Sequence, residues 1–448
     1  MNIFFSGIGG SGVSALAGFS ADKGHSVSGS DRLFDSNLDH PLRSQLQRAG
    51  ITIVPQDGKA LSPSYDLVVY STAVESHNPD LIRARHLAIT RKTRPEFLAD
   101  LVSTYRTIAV AGTSGKSTVA GMLAFLMEKL GLKPNFIGGG RVKQFASSRR
   151  AGNYMIGDSP VLIIEACESD GTIVHFNPEH SIITNLRLDH HSIDKTAHMF
   201  EKLSDNTKGF VFLNKDDKHL AACAVSNPVY FSILNKSLYT AENIRYFPLK
   251  TIFTVKNQPF ELSLPGIYNL YNAIACIAFL LEYGIAASGI ADVLSAFTGL
   301  DRRFDIYLNN GKNLVIDDYA HNPHKIMNLM TTTQRLSAGI CFIFQPHGYS
   351  PVRLLKDEFI RVFAENLRDS DHLILLPIYY TGGTVTEDVT SAMLADGIRA
   401  SGRSVEVIED RKIIFHKLYR WSDYVVFGAR DDSLADVARN IADKLKLV

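Results

Sequence analysis

Gly112-Thr113-Ser114-Gly115-Lys116-Ser117-Thr118 stands between an apolar run, Thr107-Ile-Ala-Val-Ala111, and a stretch of helical apolar periodicity, Val119 to Leu130. An apolar run, a glycine loop and a helix in that order make the strand–loop–helix unit of a parallel sheet. A strand covered on both faces is apolar nearly throughout, and its helix must return across the sheet. Glycines let backbone N–H groups close on an anion, and a helix N-terminus adds positive partial charge. The Lys116 ammonium suits phosphate oxygens and the Ser117 hydroxyl suits a hard divalent cation. Few purely structural turns need all of these together. The loop is not a full Walker A, which would need glycine at position 110, where Val110 stands. As a loop lysine taken to be exposed, Lys116 should be replaceable without loss of fold.

The same rhythm opens the chain. Ile3 to Phe5 runs into Gly7-Ile8-Gly9-Gly10-Ser11-Gly12 and then a helical stretch, with further strand-like runs at Ser26 to Ser28 and Asp66 to Ser71. Gly7, Gly9, Gly10, Ser11 and Gly12 form a nest for a diphosphate, and Asp31 lies about 20 residues on, where a dinucleotide fold places its ribose acid. NAD would fit this loop alone, a nucleotide sugar would fit it equally, and a bare tight turn would also use its glycines. NAD leaves the second loop unexplained. A third α/β rhythm follows residue 298, with strands expected at 313–316, 340–344, 372–376, 405–408 and 423–427. The reading is α/β throughout, in three domains: 1–103, 104–298 and 299–448.

A chain of 448 residues with 45% hydrophobic and 21% charged residues has the composition of a folded protein with several cores. Lys and Arg number 47 against 46 Asp and Glu. A net charge of +1 gives no bulk attraction to nucleic acid or anionic lipid, so neither is expected as a partner. The four cysteines, Cys167, Cys223, Cys276 and Cys341, lack CxxC spacing, and no apolar stretch approaches a membrane span. A cytoplasmic enzyme is the expectation.

Metal ligands beside an ATP site should come from neighbouring strand ends. Glu165 ends Val161-Leu-Ile-Ile, and His190 follows Thr184-Asn-Leu-Arg-Leu-Asp189. Mg²⁺ prefers oxygen, which favours Ser117 and Glu165; on spacing alone His190 reads as a loop residue beside His191.

In chain order, Gly112 to Thr118, Glu165-Ala-Cys-Glu-Ser-Asp170, Thr184 to His190, Tyr268-Asn-Leu-Tyr-Asn272, Arg302-Arg-Phe-Asp305 and Asp317-Asp-Tyr-Ala-His-Asn-Pro323 resemble the Mur ligase family. The resemblance spans essentially the whole chain. Gly7 to Gly12, Ser28-Gly-Ser-Asp31, Tyr70-Ser-Thr-Ala73 and Gln345-Pro-His347 are most similar to members that join L-alanine to UDP-N-acetylmuramate in peptidoglycan synthesis. Members that recycle murein peptides are the nearest alternative.

The resemblance implies a Rossmann-like UDP-binding domain, a central P-loop-type ATPase domain and a Rossmann-like third domain. It implies an ADP-forming ligase working through an acyl phosphate, with ATP and Mg²⁺, on a UDP-N-acetylmuramate-like nucleotide sugar and an amino acid, as a monomer or homodimer. Gly112, Thr113, Ser114, Gly115, Lys116, Ser117 and Thr118 would cradle ATP, while Ser117, Glu165 and His190 would surround Mg²⁺. Asn269 and Asn272 would flank adenine, Arg302 or Arg303 would reach the phosphates, and Asp318 would bind ribose. Ser71, Thr72 and Ala73 would join Gly7 to Gly12 and Asp31 at the UDP sugar. His321 and His347 would orient substrate or take the amine's proton.

The amino-acid side departs from this pattern. Gly348 and Pro351 stand where the alanine-adding members carry arginines, leaving Arg353 as the guanidinium of that segment. Asn322 replaces a second histidine, and Gly428-Ala-Arg-Asp431 differs from the usual glycine-rich turn. Ser204 to Thr207 offer no lysine for carbamylation. A different amino acid, a peptide or another acceptor therefore stands as the alternative enzyme reading. A nucleotide-binding regulatory protein stands as the alternative outside catalysis.

Overall fold

A computed structural model describes residues 1–189, 191–380, 386–418 and 420–447. The chain forms two compact units, Met1–Ser263 with Ile267–Gly299, and Leu264–Gly266 with Leu300–Val448.

The first unit holds two large sheets. One has five parallel strands in the order Thr52–Val54, Ser26–Ser30, Asn2–Ser6, Leu67–Tyr70, Thr90–Thr93. Strand order reverses at Asn2–Ser6, so the Gly7 loop leaves the sheet at its topological switch point, where such folds bind ligands. The other sheet runs Tyr239–Thr240, Val229–Ser232, Val211–Asn214, His180–Ile183, Arg106–Ala111, Val161–Glu165, Asn135–Ile137, Tyr154–Met155. All its pairs are parallel except the last. Arg106–Ala111 is central, between the strand ending in Glu165 and the strand leading to Thr184.

The helix after that loop, Lys116–Lys129, is buried from Lys116 to Met127. A helix apolar on nearly every side must lie inside the protein, and it packs against helix Ile267–Glu282 as well as the sheet. Residues from both sheets and their helices, among them Phe5, Leu16, Phe19, Tyr154, Ile164 and Phe200, form one continuous apolar cluster. The sequence reading did not anticipate an antiparallel sheet of Glu242–Tyr246, Thr251–Val255 and Gln258–Leu262. Its second hairpin turns on Lys256 and Asn257, both at positive φ, the two-residue turn whose twist suits a hairpin.

The second unit is a six-stranded sheet in the order Asp305–Asn309, Leu314–Asp318, Asp423–Gly428, Ile340–Gln345, His372–Leu375, Val405–Val407. Only the first pair is antiparallel. The five strands expected from apolar runs are present. Asp305–Asn309 was not expected, because Asp305, Tyr307 and Asn309 break its apolar pattern.

Candidate active site

The loop after Arg106–Ala111 is held by the neighbouring strand's exit. Thr113 N–H donates to the Asn185 carbonyl at 3.0 Å and Arg187 N–H donates to Thr113 Oγ1 at 3.0 Å. Asn185 closes a ring on Ser114: its Oδ1 accepts from Ser114 N–H at 2.9 Å and its Nδ2 donates to the Ser114 carbonyl at 2.8 Å. Two glycines are required here. Gly112 has φ +127, and a Cβ on it would fall 2.1 Å from Thr184 Oγ1. Gly115 caps the helix at φ +88, and a Cβ would fall 2.6 Å from Asn272 Oδ1. Asn272 thus stands against the loop; Asn269 is buried one turn earlier on the same helix.

Lys116, Ser117 and Thr118 lie in the first helical turn, three residues before the expected helix start. That corrects the picture of Lys116 as an exposed loop side chain: it is 8% exposed, with Nζ donating to the Gly112 carbonyl at 2.5 Å and to Glu168 Oε2 at 2.9 Å. Burial alone would lower its pKa, but the buried Glu168 carboxylate, together with Cys167 and Glu165, outweighs that and raises it. Glu168 was not singled out from sequence; its place in Glu165-Ala-Cys-Glu168, after a strand end, was the available signal.

Ser117 Oγ donates to Glu165 Oε1 at 2.9 Å, and Glu165 Oε2 accepts from Gly139 N–H at 2.8 Å. A hydroxyl and a carboxylate this close are the hard oxygen pair that Mg²⁺ favours, so these residues fit the ion. The third expected ligand, His190, lies outside the described residues.

In the five-stranded sheet, Gly7 backs onto Ser71, whose Oγ accepts from Ala73 N–H at 3.2 Å in the turn that also holds Thr72. Gly10 caps helix Ser11–Asp22, giving the Gly9 to Gly12 segment its helix N-terminus. Asp31 Oδ2 accepts from Gly9 N–H at 2.8 Å and its Oδ1 from Leu33 N–H at 2.9 Å, so each oxygen also latches backbone. Arg94, unremarked in the sequence, packs on Gly12 and donates from Nη2 to Asp170 Oδ2 at 2.6 Å. It ties the first glycine loop to the segment carrying Glu165 and Glu168.

The second unit gathers Arg302, Arg303, Asp318, His321 and His347 near its strand exits. Arg302 is held largely within its own unit, with Nη2 left without a hydrogen-bond partner among the described residues. It is 7% exposed, with Nε donating to Asp317 Oδ2 at 3.1 Å and Nη1 to the Ala429 and Asp431 carbonyls at 2.9 Å each. Burial pushes the Asp317 carboxyl up to about 7, with Arg302 opposing. Arg303 lies 4.9 Å over the Tyr319 ring and keeps the phosphate role open. Asp318 is largely buried, with Oδ2 accepting from Phe304 N–H at 2.7 Å and the Ala320 backbone N–H also acting on its carboxylate.

The two histidines differ in tautomer. His321 Nδ1 lies 2.9 Å from the Tyr319 carbonyl, which can only accept, so the neutral ring keeps Nε2 as an acceptor. His347 Nδ1 accepts from Arg430 N–H at 3.4 Å, which puts its proton on Nε2. The rings are 6.5 Å apart, and His347 stacks on Tyr379. Burial lowers both pKa values, that of His321 well below the usual range. Arg353, expected beside these residues, is instead ion-paired to Asp388, with Nη2 donating to the Thr386 carbonyl at 2.6 Å.

Three family models match the chain: "Mur ligase family, catalytic domain" over residues 2–106, "Mur ligase middle domain" over 110–280, and "Mur ligase, glutamate ligase domain" over 302–445. UDP-N-acetylmuramate–L-alanine ligase of Nitrosomonas europaea is 31% identical over 480 residues, covering 100% of this chain and 98% of that protein. The corresponding protein of Francisella philomiragia is 34% identical over 422 residues, covering 88% and 90%. Among solved structures, UDP-N-acetylmuramate-alanine ligase from Thermotoga maritima superposes with a TM-score of 0.83 at 28% identity, covering 100% of this chain and 99% of that one. A murein peptide ligase from Psychrobacter arcticus shares the fold at 22% identity with a TM-score of 0.71. No described helix is long and apolar enough to cross a membrane.

Proposed function

This chain belongs to the Mur ligase family, the three-domain α/β ligases that use ATP, and from that premise we propose that it joins L-alanine to UDP-N-acetylmuramate in the cytoplasm. In this reading residues 1–103 take the nucleotide sugar, 104–298 take Mg-ATP and 299–448 take the amino acid. The observation that carries it is the convergence of Lys116 and Ser117, in the helical turn after the glycine loop of a central parallel strand, with Glu165 at the end of the neighbouring strand.

The muramate carboxylate attacks the γ-phosphorus of ATP, giving an acyl phosphate and ADP. The amino acid's neutral amine then attacks the acyl carbon, phosphate leaves, and the amine's extra proton must be taken up. Amide formation from a free carboxylate is uphill in water, so ATP supplies the leaving group and the protein supplies alignment and charge. Lys116 stays protonated and offsets the repulsion between carboxylate and triphosphate. Mg²⁺, when held by Ser117 and Glu165, neutralises phosphate charge. His321, with Nε2 as acceptor, takes the amine's proton, and His347 donates from Nε2 to a substrate oxygen.

Asp31 acts here as a latch on the sugar loop. Asp31→Ala is expected to raise KM for the nucleotide sugar about tenfold with kcat nearly unchanged, since one charge-assisted loop bond is lost. Steady-state kinetics with varied UDP-N-acetylmuramate check it.

The deciding experiment is phosphate release from Mg-ATP and UDP-N-acetylmuramate with each common amino acid, then with murein-derived peptides. Release with L-alanine is the expected result. Release only with a peptide would move the protein to recycling, a second reading that Gly348 and the engagement of Arg353 with Asp388 favour by leaving the amine side open. No release with any amine would leave another acceptor or a nucleotide-binding regulator.

A further inference from the structure

We infer that a cleft at the strand-entry edge of the central sheet, walled by Arg106, His180 and Lys208, binds a small carboxylate-bearing molecule. The cleft measures about 490 Å³, within the range of small-molecule sites. Arg106 and His180 open the strands Arg106–Ala111 and His180–Ile183, and Gly209 stands two residues before Val211–Asn214. The Gly112 to Thr118 loop leaves the far end of Arg106–Ala111, about 20 Å away along the strand. The cleft therefore lies at the opposite edge of this sheet from the phosphate loop.

One wall offers a donor with nothing to donate to. Phe210 N–H donates to His180 Nδ1 at 3.0 Å, so the neutral ring carries its proton on Nε2. His180 is 8% exposed, stacked on Phe210 and met edge-on by Phe279 and Tyr283. A Cβ on Gly209 would fall 2.6 Å from His180 Cε1, so glycine at the rim admits the ring. Nε2 comes within 3.7 Å of Glu179 Oε1, beyond hydrogen-bond reach, and makes no hydrogen bond among the described residues. A buried N–H without an acceptor is costly unless the occupant of the cleft supplies one.

Charge selects that occupant. Arg106 donates to both Glu179 oxygens, from Nε to Oε2 at 2.6 Å and from Nη2 to Oε1. Arg106 chiefly, with Lys208 adding to it, holds the Glu179 carboxyl below its usual range, while burial lowers the His180 pKa and keeps that ring neutral. Arg106 and Lys208 against Glu179 leave one positive charge on the lining. Lys208 Nζ makes no hydrogen bond among the described residues. A monoanion matches this set: its carboxylate accepts from His180 Nε2 and pairs with Lys208, and its carbon body lies against Val102 and Tyr105.

The test is ligand-observed ¹⁹F NMR of the full-length protein, with 4-fluorobenzoate as the probe and 4-fluorobenzamide as its uncharged counterpart. Saturable binding of the benzoate with Kd on the order of 1 mM is expected, about tenfold or more tighter than the amide. Lys208→Ala, at an exposed side chain whose loss leaves the fold intact, should weaken the benzoate about fivefold, and Lys208→Glu should remove its preference over the amide. Saturating Mg-ADP and UDP should leave the wild-type affinity unchanged, and displacement by either would put the probe at a glycine loop and overturn the inference. Absence of saturable binding overturns it too, as would equal binding of the amide, or Lys208 variants that bind the benzoate as the wild type does.

Discussion

Lys116→Ala is expected to lower ATP-dependent turnover by about 1000-fold or more and also to destabilise the first unit by about 3 kcal/mol. The first effect follows from losing the ammonium that faces the phosphate loop. The second follows from burial: Glu168 is 3% exposed and accepts two hydrogen bonds from Lys116, so truncation strands a carboxylate away from water. Phosphate release and thermal unfolding separate the two. Lys116→Met combined with Glu168→Gln removes both charges and should recover most of the thermal stability while remaining inactive. Near-normal turnover in Lys116→Ala would overturn the phosphate-site assignment.

Adjacent arginines should give opposite outcomes. Arg302→Ala is expected to cost about 3–5 kcal/mol, because Asp317 is fully buried and the Ala429 and Asp431 carbonyls lose their donor. The protein that stays folded should keep its KM for ATP within about twofold. Arg303→Ala, at a partly exposed side chain lying over Tyr319, should move the unfolding temperature little and raise KM for ATP by about 10- to 100-fold. Thermal melts beside ATP titrations read both. Loss of ATP affinity in Arg302→Ala without destabilisation would return the phosphate role to that residue.

What the sequence made legible was local. Uninterrupted apolar runs marked the parallel strands, and the Gly112 to Thr118 loop could be read as a phosphate-binding candidate because that chemistry needs its residues contiguous. Asn272 could be placed on a helix face by spacing, although its approach to Gly115 depends on how that helix packs. What stayed hidden was pairing across distance. Whether Lys116 is exposed depends on Glu168, 52 residues on, and Arg353 meets Asp388, 35 residues on. A guanidinium looks alike in sequence whether it faces substrate or a buried aspartate. The same holds for Asp31, whose position fitted a ribose acid and whose oxygens also latch Gly9 and Leu33.

The apolar cluster running from Phe5 and Leu16 to Ile164 and Phe200 has a mechanical consequence. Neither of the two sheets it joins can shed its neighbour without exposing core, so residues 1–299 should yield under an applied pulling force in one cooperative rupture, although they carry two nucleotide-type loops. Relative motion between these two sheets is correspondingly stiff. The floor on which the two glycine loops rest then behaves as one rigid plate, and in the ligase reading proposed above the spacing between nucleotide sugar and ATP is set at folding rather than found at each turnover.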